Sequence, residues 1–176
     1  MKRSAFLTVI SGCVLAPMVL ASIEKLDLPE MVKRVDSAVV GSITAKTTWT
    51  SPNPDGEGSL EFTTITVSGD DLMTGKPATV EVSFVGSDRV PTTVTPAESE
   101  TRVGTRIVVF SKKSSAFGVT DAKNWMYASH GGVFRVEAGP KGEVVLGKGA
   151  GFAVSDNMLA SDFRTRVTEL RGAQKR

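Results

Sequence analysis

The apolar positions change period several times along the chain. Met31, Val32 and Val35 fall on one face at helical spacing. Pro29 is tolerated in a first helical turn, and Glu30 suits a helix N-terminus. The pattern predicts a helix of about two turns ending at Asp36-Ser37, a plug across a barrel mouth or sheet edge. Val35 to Trp49 then reads as a long first strand. Apolar residues occupy both parities at its start, and Gly41 predicts a bulge or sharp bend within it. Thr50 to Ser59, with Pro52, Pro54, Gly56 and Gly58, reads as a loop.

Leu60 and Phe62 open a second strand that Ile65 and Val67 close in the opposite phase, which predicts another bulge. Ser68 to Pro77 is a polar connection anchored by Leu72 and Met73. Val80, Val82 and Phe84 alternate with polar residues as a half-buried strand should. Gly86 to Thr105 is a long polar segment, of the kind that is functional or disordered. Ile107 to Phe110 is a short buried strand, with weaker strand signals at Phe117–Val119 and Trp125–Tyr127. Val133–Glu137 and Glu143–Leu146 form a hairpin around Ala138-Gly139-Pro140-Lys141-Gly142. Ser161 suits an N-cap, Phe163, Val167 and Leu170 make a stripe, and Gly172 stops it. These predict a C-terminal helix over about 162–171.

The N-terminus stands apart from this pattern. Met1-Lys2-Arg3 is basic, Ser4 to Met18 is nearly uncharged, and Val19-Leu20-Ala21 fits a signal-peptidase site. The expectation is a signal peptide over 1–21, cleaved after Ala21, and one exported domain over 22–176, periplasmic or secreted. A second reading is a lipoprotein anchored at Cys13, since Ile10-Ser11-Gly12-Cys13 resembles a lipobox. The apolar run continuing through Leu20 counts against it. No later stretch is apolar enough to span a bilayer.

Cleavage removes the single cysteine and two basic residues. The 21 basic and 19 acidic residues of the whole chain then become 19 and 19, a net charge of zero. The mature chain is expected to have no disulfide and no net basic footprint for nucleic acid. Charge is still uneven. Acidic residues crowd Pro54 to Glu100, and Arg164, Arg166, Arg171, Lys175 and Arg176 make the tail basic, a face that is most simply solvated.

Several segments resemble, in their order, exported bacterial domains with OB-fold-like β-barrels, similar in layout to the netrin-like domains of tissue inhibitors of metalloproteinases. They are Leu28 to Gly41, Leu72-Met73-Thr74-Gly75 followed by Ala78 to Val85, Val103 to Phe110, and Gly131 to Val136. The resemblance covers about half of the mature chain and implies a fold more than a function. Netrin-like inhibitors chelate zinc through an N-terminal cysteine, which this mature chain lacks, so that mechanism is not carried over.

Candidate chemistry is sparse. His130 is the only histidine. A hydrolase would combine it with a serine and, for instance, Asp121, but no Gly-x-Ser-x-Gly elbow is present. A loop histidine without chemistry is the plainer reading. Asn53, Asp55 and Glu57 alternate as calcium ligands do, yet the twelfth position is Thr64, where a calcium loop needs a glutamate. Pro-Asp-Gly is also an ordinary turn. Trp49, Trp125 and Tyr127 are aromatics with polar tips, able to stack a sugar or to fill a core.

The expectation is therefore a mainly β fold: a small OB-like barrel of short antiparallel strands, with a short N-terminal helix and a C-terminal helix. Its function is read as a non-catalytic binding or scaffold module with an unknown protein or glycan partner. The alternatives are a secreted hydrolase using His130 and a carbohydrate- or surface-binding domain using exposed aromatics. Trp49, Trp125, Tyr127 and His130 are the candidate binding residues. No catalytic residue, metal or cofactor is assigned.

Overall fold

The structure is a computed structural model that describes residues 26–119, 121 and 123–174. The expected signal peptide, its cleavage site and Cys13 lie outside these residues, as do Lys175 and Arg176.

Asp27 caps the first helix of the described residues. Its carboxylate accepts from the Glu30 backbone N–H at 2.9 Å, satisfying one of the helix's orphan donors. Helix α1 (Leu28–Arg34) follows and buries Leu28, Met31 and Val32. Strand β1 (Ser37–Pro52) is 16 residues long. It outruns the expected stop at Trp49 because it pairs with β2 (Ser59–Asp71) down to Pro52 opposite Ser59. The loop between them thus shrinks to residues 53–58.

Strand β2 forms a hairpin with β3 (Lys76–Val85), in register from Phe62 opposite Val85 to Asp71 opposite Lys76. The polar connection expected over Ser68–Pro77 is mostly strand, with a turn of only four residues at its tip. Leu72 and Met73 in that turn are buried anchors, as their apolar character predicts.

Strands β4 (Arg106–Ser114) and β5 (Lys123–Met126) complete a closed five-stranded barrel in the order β1-β2-β3-β5-β4, with β4 returning to β1. Residues Val39 to Ser42 are laddered to β2 on one side and β4 on the other. The β3–β5 junction is parallel and rests on one pair, Ser83 with Trp125. The other pairings are antiparallel, so the expectation of antiparallel strands holds everywhere but there. This is the OB-like barrel expected from the sequence.

Beyond it, β6 (Val133–Gly139) extends from β4, and β7 (Gly142–Val145) and β8 (Met158–Leu159) continue outward to α3 (Ala160–Ala173). Among the described residues, no helix is long and apolar enough to cross a membrane.

Two apolar clusters hold the fold. The barrel interior contains Val39, Ile43, Ile65, Val67, Val82, Phe84, Ile107, Val109, Met126 and Val133. A second cluster lies on the opposite faces of β1 and β4, where Val40, Val108 and Phe110 meet Met31 and Val32 of α1 and Phe163 and Val167 of α3. Helix α1, expected as a plug across a barrel mouth or sheet edge, packs beside α3 against the outer faces of β1 and β4. This second layer explains why the starts of β1 and β4 are apolar at both parities.

Four local expectations need correction. The irregularity in β1 lies between Ile43 and Ala45, not at Gly41. Gly41 faces Gly69, and a Cβ on either would sit 2.3 Å from Ser68 O or 2.0 Å from Val40 O, so the pair permits a close backbone approach. No register shift separates β2 from β3 between Phe62 and Ile65. Their opposite phases arise because β2 is covered on both faces. Phe117–Val119 is a turn, not a strand. Helix α3 starts at Ala160, ahead of Ser161, because the β8 pairing of Leu159 with Val144 delivers the chain directly into it, and it runs through Gly172 to Ala173.

The long segment after β3 is folded. Ser87 Oγ accepts from the N–H groups of Arg89 and Val90, Thr95 Oγ1 donates to Val85 O, and a short helix α2 (Glu98–Thr101) closes it.

Candidate functional site

Four aromatics, Trp49, Phe62, Phe117 and Trp125, gather on the outer face of β1, β2 and β5. Phe62 lies opposite Trp49 in the β1–β2 ladder and is fully buried. Its ring stacks on Trp49 with centroids 4.5 Å apart and meets Trp125 edge-on at 5.6 Å. Phe117, from the β4–β5 connection, closes the group at 5.1 Å from Trp125 and 5.9 Å from Phe62. That connection also touches the β1–β2 loop, where Pro54 packs against Gly118. The indole N–H groups are both satisfied: Trp49 Nε1 donates to Thr64 Oγ1 at 2.9 Å and Trp125 Nε1 to Ser114 O at 3.0 Å.

Beside this aromatic floor is a cleft of about 450 Å³, within the range of ligand pockets. Thr47, Trp49, Thr64, Glu81, Ser83, Lys113, Lys123 and Asn124 line it. It lies over the parallel β3–β5 junction, where the barrel is held by its single strand pair. Thr64 Oγ1 and Ser83 Oγ are hydrogen-bonded at 2.8 Å, so Trp49, Thr64 and Ser83 form one polar chain along the cleft. Lys123 Nζ sits 5.2 Å from the Trp49 ring centroid, an approach that favours a cation. Trp49 is thus covered by Phe62 and approached by an ammonium, and Trp125 is only 6% exposed. Phe117 alone among the four is open, at 45%, on a left-handed backbone (φ 52°) that costs a non-glycine residue about 1–3 kcal/mol.

The four candidate residues do not share one face. Trp49 and Trp125 meet in the aromatic group, 6.4 Å apart. Tyr127 packs instead against the second apolar cluster. His130 lies in a 3₁₀ turn (Ser129–Gly132) that Ala128 and Ser129 enter with φ of 53° and 51°.

Around His130 is a different constellation. Lys148 Nζ donates to the His130 carbonyl at 2.6 Å, pairs with Glu100 Oε1 at 2.5 Å and lies 5.5 Å from the Phe134 ring. Burial, with the Lys148 charge adding to it, holds the His130 imidazole below its usual pKa, and Glu100 partly offsets this. Burial likewise lowers Lys148 against the opposing pull of Glu100. The imidazole packs on Phe152 at 5.8 Å. Among the described residues no serine hydroxyl or carboxylate is hydrogen-bonded to its ring, and Asp121 lies on the other side of β5 in sequence. The geometry gives the hydrolase reading no nucleophile–base contact.

The residues weighed as calcium ligands sit in a turn. Asn53 Oδ1 accepts from the Asp55 N–H at 3.1 Å, closing an Asx turn. No three histidine, cysteine or acidic side chains converge among the described residues. In the basic tail, Arg164 is paired with Asp70 at 2.9 Å.

Phe62, Phe117, Lys113, Lys123, Thr64, Ser83 and Glu81 were not singled out from the sequence. One signal was there to use: Lys123 and Trp125 are two apart on a strand and so share a face. No family model matches the chain, and neither a curated protein nor a solved structure matches it.

Proposed function

We propose that this chain is an exported, non-catalytic binding module whose ligand lies in the cleft over the β3–β5 junction. The observation that carries the reading is the cleft's construction. Trp49, backed by Phe62 and Trp125, forms one wall, and hydroxyl, amide, carboxylate and ammonium groups from five different strands converge beside it. Sites placed on strands hold polar groups more precisely than sites on loops, and OB-like barrels present their ligand face between the β1–β2 and β4–β5 connections. Those are the connections that touch here through Pro54 and Gly118. The resemblance of these segments to netrin-like domains fits an OB-like scaffold and supplies no inhibitory mechanism. Export rests on the composition of the first 21 residues.

The test is thermal shift of the wild type and of Thr47→Trp, which fills the cleft from an exposed position, against a panel of sugars, uronic acids, amino acids and dicarboxylates. A binder raises the melting temperature by mass action. Stabilisation that disappears in Thr47→Trp supports the reading. Stabilisation that survives the filled cleft, or a panel without any stabilising member, overturns it.

A further inference from the structure

We infer that the ligand of this cleft is an acidic saccharide, a sugar chain carrying carboxylates at intervals. The inference rests on the cleft being the binding site.

Three features of the lining lead there. Lys113 and Lys123 both border the cleft, and among the described residues neither ammonium has a carboxylate within ion-pairing distance. Lys33, Lys46 and Lys148 have such a partner, whereas Lys76, Lys112 and Lys141, outside the cleft lining, lack one among the described residues; what sets Lys113 and Lys123 apart is that both border one cleft. Two unpaired cations against the single Glu81 leave the lining one positive charge in excess, which favours an anionic group. The second feature is the chemistry between the charges. Thr47, Thr64, Ser83 and Asn124 offer donors and acceptors on side chains, matching a ligand that carries hydroxyls around its whole periphery. The third is Glu81 itself. It accepts hydrogen bonds from sugar hydroxyls, which a polyacidic peptide or a phosphodiester chain does not present along its length.

A strand-like peptide is disfavoured for a further reason. Thr64 is already paired on both sides, in the β1–β2 and β2–β3 ladders, so recognition at that strand falls to side chains rather than to a free backbone edge. A nucleic-acid base would need an open aromatic face to stack on. Phe62 covers one face of Trp49, and Lys123 sits over the ring.

The experiment is titration calorimetry of the full chain with oligogalacturonate, the neutral galactose oligomer of equal length, hexaglutamate and oligothymidylate. It is repeated on Lys113→Gln/Lys123→Gln. Both lysines lie on the protein surface or at its margin, and circular dichroism checks that the variant folds.

The expected result is binding of oligogalacturonate at least tenfold tighter than of the neutral oligomer. That preference should fall at least tenfold in the double variant and weaken with added salt. Equal binding of the neutral oligomer overturns the acidic class while leaving the cleft as the site. Tighter binding of hexaglutamate or oligothymidylate overturns the saccharide. Binding of oligogalacturonate that Thr47→Trp does not affect overturns the site and this inference together, and no binding of oligogalacturonate overturns the inference alone.

Discussion

Lys148 ties three separate parts of the chain together, and removing its charge should loosen them measurably. Its ammonium reaches Glu100 of α2, the His130 carbonyl of the 3₁₀ turn and the Phe134 ring of β6. The two side chains are 16% and 11% exposed. Breaking one partner out of a fully buried pair costs about 3–5 kcal/mol, mostly because the other charge is left without compensation. Here each retains some contact with water, and Glu100 keeps the Ala97 N–H at 3.2 Å. Lys148→Met is therefore expected to cost about 2–3 kcal/mol, or about 4–12 °C in melting temperature for a domain of this size. Glu100→Gln/Lys148→Met removes both charges together. Its loss should be smaller than the sum of the single losses by about 1–2 kcal/mol. Urea unfolding of the four proteins measures this cycle. Hydrogen exchange should show the Glu98–Thr101 amides opening faster in the single variants. Additive losses within about 0.5 kcal/mol would refute the idea that the pair is coupled and buried.

Other outcomes follow from the same structure. The folded-state pKa of His130 lies below its ordinary value of 6.5, so as pH falls the unfolded chain takes up the proton first. The histidine's contribution to stability is therefore complete above pH 6.5 and is lost as pH drops through the folded value. His130→Gln should flatten stability in that window; parallel pH profiles for variant and wild type would count against the assignment. Phe62→Ala should cost about 3–5 kcal/mol and shift tryptophan emission to the red, whereas Phe62→Leu should cost less than about 1.5 kcal/mol. Both are read by denaturant unfolding, and equal losses would show that the site depends on the ring itself and not on buried apolar volume. Gly69→Ala places a methyl 2.0 Å from Val40 O. Its expected cost is about 3 kcal/mol or more, and a variant with unchanged melting temperature would disprove the close β1–β2 approach.

The alternation and spacing of apolar residues determined much of the architecture. A strand reveals its buried side through a period of two and a helix through 3.6, so β3, β4, the β6–β7 hairpin, α1 and the Phe163–Val167 stripe of α3 were legible. So was the barrel class. The same periodicity misled where both faces of a strand are buried. Phe62 and Ile65 belong to opposite faces of an unbroken β2, and a one-dimensional pattern reads that as a slip in register. Gly41 required its partner Gly69, 28 positions away, before its role was a close approach and not a bend.

The candidate site was less legible still. Trp49 and Trp125 could be named from their residue type. That they meet in one aromatic group, while Tyr127 and His130 belong elsewhere, depends on the parallel β3–β5 junction that brings the two ends of the barrel sheet together. Lys113 and Lys123 carry no local signature, because a surface lysine and a lysine bordering a cleft look alike in sequence. Only closure of the barrel, which sets residues from five strands around one opening, gives them different surroundings.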